Sequence, residues 1–200
     1  MAKTKNGETT PAAGGVAPTA DGLLRAAMQG GRRGPPPVHL WNPPFCGDID
    51  MRIARDGTWF YLGTPIGRKE MVRLFSGIIR REGGAYFLVT PVEKVGIVVD
   101  DAPFVAVDVE AGPGGLTFTT NVEDEVLAGP DHPIRVERDA QSGEPAPYVL
   151  IRADLWALID RKSFYRLVDL GSTEGEWFGV RSGGRFFPII PQAELEAGAA

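Results

Sequence analysis

Apolar positions in this chain change period in a fixed order. Ile49, Met51 and Ile53 alternate with Asp50, Arg52 and Ala54, the period of two that sets one face of a strand on a core and the other in water. Asp56-Gly57 follows, a hairpin turn signal, and 58–62 reads as the return strand. The spacing then lengthens. Met71, Leu74, Phe75, Ile78 and Ile79 recur every three or four residues, which predicts a helix with one buried stripe that Gly83-Gly84 should stop. Residues 85–89 and 95–99 read as two further strands.

From residue 134 the same succession returns. Ile134 and Val136 open a strand, and Tyr148 to Ile151 is the return. Asp160 should cap a helix carrying Phe164, Leu167 and Val168, with Gly171 ending it. Glu176 to Val180 and Arg185 to Ile189 flank Ser182-Gly183-Gly184 as a hairpin. Local wording is shared too. Residues 51–57, MRIARDG, resemble 134–140, IRVERDA, and 66–75, IGRKEMVRLF, resemble 159–168, IDRKSFYRLV. The prediction is an α+β chain of two tandem strand-strand-helix-strand-strand repeats, each a small antiparallel sheet covered by one helix. One such unit buries too little surface to stand alone, so the copies should pack together.

The expected organisation runs as follows. Residues 1–35 form a flexible N-terminal tail with a short helix, capped by Asp21, through Leu23, Leu24, Ala27 and Met28 and ended by Gly30-Gly31. The first repeat occupies 36–103. A connecting hairpin and an acidic loop fill 104–133, the second repeat takes 134–190, and 191–200 is a C-terminal tail. Trp41 and Phe45 should cover the edge of a core.

Composition narrows the function classes. Over 200 residues, 43% hydrophobic and 24% charged content are ordinary for a globular chain, and a net charge of −5 argues against nucleic acid as partner. No apolar run is long enough to span a bilayer, and residues 1–21 lack a secretory core, so a cytoplasmic location without a membrane is expected. The single cysteine, Cys46, forms no internal disulfide and reads as a small buried filler.

Several motifs together carry a family resemblance. They are Trp41-Asn42-Pro43-Pro44-Phe45-Cys46-Gly47-Asp48-Ile49, Asp56-Gly57-Thr58-Trp59, residues 68–75, Thr90-Pro91-Val92-Glu93-Lys94-Val95 and Asp100-Asp101-Ala102-Pro103-Phe104. Across roughly Pro36 to Phe187 the chain resembles a bacterial family known as domain of unknown function 1285. The resemblance implies an α+β fold of two repeated subdomains and a role in signal transduction, and it brings no catalytic residues.

The most distinctive candidate chemistry is a repeated cation pair. Arg68-Lys69 and Arg161-Lys162 each fall in the first turn of a predicted helix, where the helix dipole disfavours positive charge. An anion held between these side chains and the helix amides would account for them. The plainer alternative is lysines reaching into water and arginines paired with neighbouring carboxylates. Trp59, Tyr61, Trp156 and Trp177 could line a pocket, although aromatics of this kind are more often core. No nucleophile elbow, phosphate loop or dinucleotide fingerprint is present, and two His and one Cys leave transition-metal ligands scarce.

No catalytic residue, metal or cofactor is therefore assigned. The expected function is a binding module that senses a small anionic ligand or a protein partner. The alternatives are a small-metabolite enzyme using Asp48, Asp50 and Asp101, and an assembly or scaffold protein tethered by the Arg- and Pro-rich arm at 32–37. A buried cleft at the repeat seam containing Arg68 or Arg161 would favour the first, convergent carboxylates around a cavity or bound metal the second, and a flat apolar surface with no cavity the third.

Overall fold

The computed structural model describes residues 19–29, 36–138 and 143–198. The first helix, α1 (Ala20–Gln29), buries Ala20 and Leu23. It starts two residues earlier than expected: the Thr19 hydroxyl oxygen accepts the Gly22 N–H at 3.2 Å, and Asp21 sits in the first turn. Gly30, Gly31 and the rest of the expected N-terminal tail lie outside the described residues.

A 3-10 turn, Val38–Leu40, leads into the first half of the fold. Its strands are β1 (Phe45–Ile53), β2 (Trp59–Tyr61), β3 (Thr64–Pro65), β4 (Ile79–Glu82), β5 (Ala85–Val89) and β6 (Lys94–Val99), with α2 (Lys69–Ser76) between β3 and β4. They make one six-stranded sheet in the order β3-β2-β1-β6-β5-β4. β1 and β6 run parallel, so the sheet is mixed and not the antiparallel one expected. In β1 the predicted alternation holds: Met51 and Ile53 are buried while Asp50 and Arg52 are exposed. Trp59 on β2 stacks on Phe75 of α2, centroids 6.2 Å apart, and both are fully buried.

The first helix of this half is shorter than its apolar stripe implied. Gly77 ends it, and Ile79 already belongs to β4. Gly83-Gly84 is no helix stop. Both residues have positive φ, +56° and +89°, and they form the two-residue turn that joins Glu82 to its partner Ala85.

The second half contains β7 (Phe104–Gly112), β8 (Gly115–Thr120), β9 (Glu125–Leu127), β10 (Ile134–Arg138), β11 (Pro145–Arg152), β12 (Leu155–Ile159), α3 (Arg161–Asp169), β13 (Ser172–Glu174), β14 (Trp177–Ser182), β15 (Arg185–Pro191) and α4 (Gln192–Gly198). The expected connector at 104–133 is a hairpin, and its strands are built into the second sheet, ordered β10-β11-β12-β7-β8-β9. β7 lies in the middle of that sheet, parallel to β12. β13-β14-β15 form a third, antiparallel sheet.

Both 45–99 and 134–191 therefore run three strands, one helix, three strands. Their pairings diverge at one place. β6 closes onto β1 in the first half, whereas β15 comes alongside β10 without a ladder between them. Pro188 and Pro191 in β15 carry no N–H, which leaves that strand two donors short for any neighbour.

One apolar core still runs through the molecule, from Leu23 and Met51 to Val180 and Phe187. The third sheet is tied to the second by a buried hydroxyl. Ser182 Oγ accepts the Leu116 N–H at 2.7 Å and donates to the Ala128 carbonyl at 2.7 Å. α4 occupies the expected C-terminal tail. Cys46 is exposed, not buried, and its thiol points to the Pro44 carbonyl at 3.5 Å.

Candidate functional site

The two halves meet along α2 and the turn between β8 and β9. Arg152 of β11 donates to the Ser76 carbonyl at the end of α2, 2.8 Å away, and pairs with Asp124. Arg73 of α2 pairs with Glu123, and Arg81 with Asp154 at 3.0 Å. Asn121 holds the β1–β2 turn: its oxygen accepts the Val105 N–H at 3.0 Å and its amide donates to the Gly57 carbonyl at 3.3 Å.

Beside these bridges the seam opens into a cleft of 750 Å³. The first half contributes Trp59, Ile66, Gly67, Lys69, Glu70 and Arg73. The second contributes Thr119, Thr120, Asn121 and Glu123. Two features of the first wall are unusual. Trp59 is 1% exposed and its indole N–H has no hydrogen-bond partner among the described residues, a donor whose desolvation is uncompensated. The start of α2 also lacks a side-chain cap, because Arg68 stands at the capping position and accepts nothing there.

The second cation pair is placed differently. Asp160 caps α3, its carboxylate accepting the Ser163 N–H at 2.7 Å, so the positive end of that helix already faces an anion. Arg161 folds back along its own helix, Nε donating to the Tyr165 hydroxyl at 2.8 Å. That hydrogen bond holds the Arg161 guanidinium above its ordinary pKa. Of the four expected cations, Lys69 alone lines the cleft; Arg68, Arg161 and Lys162 do not. Of the expected aromatics, Trp59 lines it. The Tyr61 hydroxyl instead approaches the Ala20 N–H at 3.5 Å, and Trp156 lies under the Arg135 guanidinium, 3.9 Å from its ring centroid. Arg73, Thr119 and Asn121 carry no sequence signal that singles them out. They reach the site through long-range pairing of the two halves.

Of the candidate carboxylates, Asp100 and Asp101 line one cleft with Glu137 and Tyr148, whereas Asp48 and Asp50 do not line it. Asp48 sits opposite Gly96 on β1. Asp100 is engaged by Arg52, Nε to Oδ1 at 2.8 Å, and this hydrogen bond lowers its pKa. Asp101 accepts the Tyr148 hydroxyl at 2.8 Å and stands 3.2 Å from Arg55 Nε, an ion pair without hydrogen-bond alignment. Burial first, then the Asp101 contact, raises the Tyr148 pKa. Among the described residues no group of three or more His, Cys, Asp or Glu side chains could hold a metal ion.

Comparison with known proteins places the molecule. Residues 36–102 match the model for "Domain of unknown function (DUF1285), N-terminal domain", and residues 103–189 match "Protein of unknown function (DUF1285), C-terminal domain". The chain belongs to the DUF1285 family. It is similar to a DUF1285 family protein from Silicibacter pomeroyi DSS-3, known from a 2.50 Å crystal structure. Identity is 65% with a TM-score of 0.82, over 89% of this chain and 100% of that one. A second DUF1285 family protein, from Shewanella baltica OS155, is 30% identical over 60% of this chain and 90% of that one, with a TM-score of 0.49. None of the curated proteins matches. The DUF1285 domain boundary falls between Ala102 and Pro103, so the cleft lies between the N- and C-terminal domains, and β7 to β9 belong wholly to the second. No helix among the described residues is long and apolar enough to cross a membrane.

Proposed function

We propose that the protein is a non-enzymatic binding module that senses a small anionic ligand in the cleft between its two domains. The observation that carries this reading is that Trp59, whose buried N–H has no partner among the described residues, lines one cleft with Lys69 at the uncapped start of α2. An anionic acceptor placed there gains the α2 amides, the Lys69 ammonium and the indole donor together. The cleft volume suits a metabolite-sized molecule. A ligand touching both α2 and residues 119–123 at the end of β8 and the turn after it would bridge the domains, which supplies a route for signalling by restricting their relative motion. Asp48 and Asp50 lie outside the cleft that Asp101 lines, which favours this reading over a small-metabolite enzyme that uses the three together.

The test is a thermal-shift and calorimetric screen of phosphate, nucleotides and dicarboxylates against the wild type, Lys69→Glu, Trp59→Phe and Arg161→Glu. Binding to the native state raises its midpoint. The expected result is a midpoint rise that Lys69→Glu abolishes, Trp59→Phe diminishes and Arg161→Glu leaves intact. An anion that stabilises Lys69→Glu as strongly as the wild type defeats the proposal.

A further inference from the structure

We propose a second site, separate from the domain seam: a pocket in the C-terminal domain for a small apolar molecule that ends in a carboxylate. It occupies the place where β10 and β15 fail to pair. The gap is a cavity of 400 Å³, within the range of small-molecule sites. Phe164 and Val168 of α3 form one wall, and Trp177 and Phe178 of β14 another. Val136 and Ile190 face it from the two unpaired strands. This lining is aliphatic and aromatic, so the body of the ligand is a hydrocarbon chain or ring.

Among the described residues, the charges of the lining are Arg138 and Glu194, both at the mouth. Arg138, the last residue of β10, is ion-paired with Glu194 of α4. Both side chains are about half exposed, 55% and 52%. Glu194 is thus a carboxylate already docked on Arg138, and it shows which ligand group fits there: a ligand carboxylate replaces it and forms the same charge-assisted contact. Leu195 lies beside it on α4, so the helix that carries the displaceable carboxylate also helps line the pocket. A peptide strand is a poorer occupant, because β15 lacks N–H donors at Pro188 and Pro191 and so pairs badly with an added strand.

The probes are octanoate and 1-octanol, followed by tryptophan emission and by thermal midpoint. Octanoate should raise the midpoint and shift an emission component that Trp177→Phe removes. Arg138→Gln should weaken octanoate about tenfold and leave octanol unchanged. Glu194→Gln should tighten octanoate several-fold, since it frees Arg138; a purely structural role for the pair predicts no gain. Ile190→Trp fills the cavity and should abolish binding of both probes. Should that variant fail to fold, Val136→Phe fills the cavity from the opposite strand. Octanoate binding that is undiminished in a folded cavity-filling variant, equal in Arg138→Gln and wild type, or absent from the wild type overturns the assignment.

Discussion

The Arg152 guanidinium reaches from the C-terminal domain to the Ser76 carbonyl, 2.8 Å away, and so caps the end of a helix in the other domain. It also pairs with Asp124 and lies over the Phe104 ring, 4.7 Å from the centroid. A cation at a helix C-terminus satisfies an orphan acceptor and meets the negative end of the dipole. Arg152→Leu should cost about 2–3 kcal/mol, read from urea unfolding with both domains followed together. Arg152→Lys should recover less than half, because an ammonium lacks the planar fork that serves two acceptors.

Ser182 links two sheets with one hydroxyl, and it is buried. Ser182→Ala leaves the Leu116 N–H and the Ala128 carbonyl without that partner. The expected loss is about 2 kcal/mol, a fall of about 4–8 °C in thermal midpoint by calorimetry for a chain of this size. A midpoint within one degree of the wild type would contradict the clamp.

Gly57 is constrained twice. Its φ is +84°, and a Cβ there would stand 2.6 Å from Asn121 Nδ2 and 3.0 Å from Val105 Cγ2. Gly57→Ala should destabilise by about 2 kcal/mol, near 1 of it from the backbone. In an Asn121→Ala background the same substitution should cost less, because the nearest clash is gone. Equal costs in both backgrounds would place the whole effect in the backbone.

Alkaline stability should depend on Tyr148. Its folded pKa is raised above the ordinary value of 10, chiefly by burial and then by the hydrogen bond to Asp101. The native state therefore holds this proton more tightly than the unfolded chain. The contribution is complete below pH 10 and is lost as pH rises from there through the folded value. Tyr148→Phe should flatten the alkaline limb of the stability curve in denaturant titrations between pH 8 and 11, a range set about the ordinary phenol pKa.

The acid limb has the opposite sign. Glu82 receives a hydrogen bond from Lys94 at 2.8 Å and pairs with Arg80, and its pKa is held below 4.5. Its contribution is present above that ordinary value and is lost as pH falls through the folded one. Glu82→Gln should make stability less steep in pH below 5, close to the ordinary carboxylate range.

Local pattern was readable and long-range pairing was not. The alternation of Met51 and Ile53 with Arg52 placed β1, and the Asp160 signature placed the start of α3. β12 shows no strand alternation, because Trp156 and Leu158 share the strand with Leu155, Ala157 and Ile159 and make both of its faces apolar. Ile78 and Ile79 continued a helical stripe on paper, but Gly77 breaks the helix before them. The membership of β7 in the second sheet depends on a parallel neighbour some fifty residues later, which no local periodicity encodes. At the seam, Trp59 and Lys69 could be suspected from their type and position. Thr119 and Asn121 could not, since the polar end of β8 and the turn after it read as solvent-facing until the other half of the molecule is laid against them.

The parallel strand pairs set a timetable for synthesis. β1 waits for β6, and β7 waits for β12, so the first domain emerges from the ribosome with its central strand missing a flank until almost its whole length is translated, and the second until more than half of its length is. A nascent chain stalled before Leu155 would present the apolar flank of β7 to its surroundings, and that stage is where a chaperone would have the most to shield.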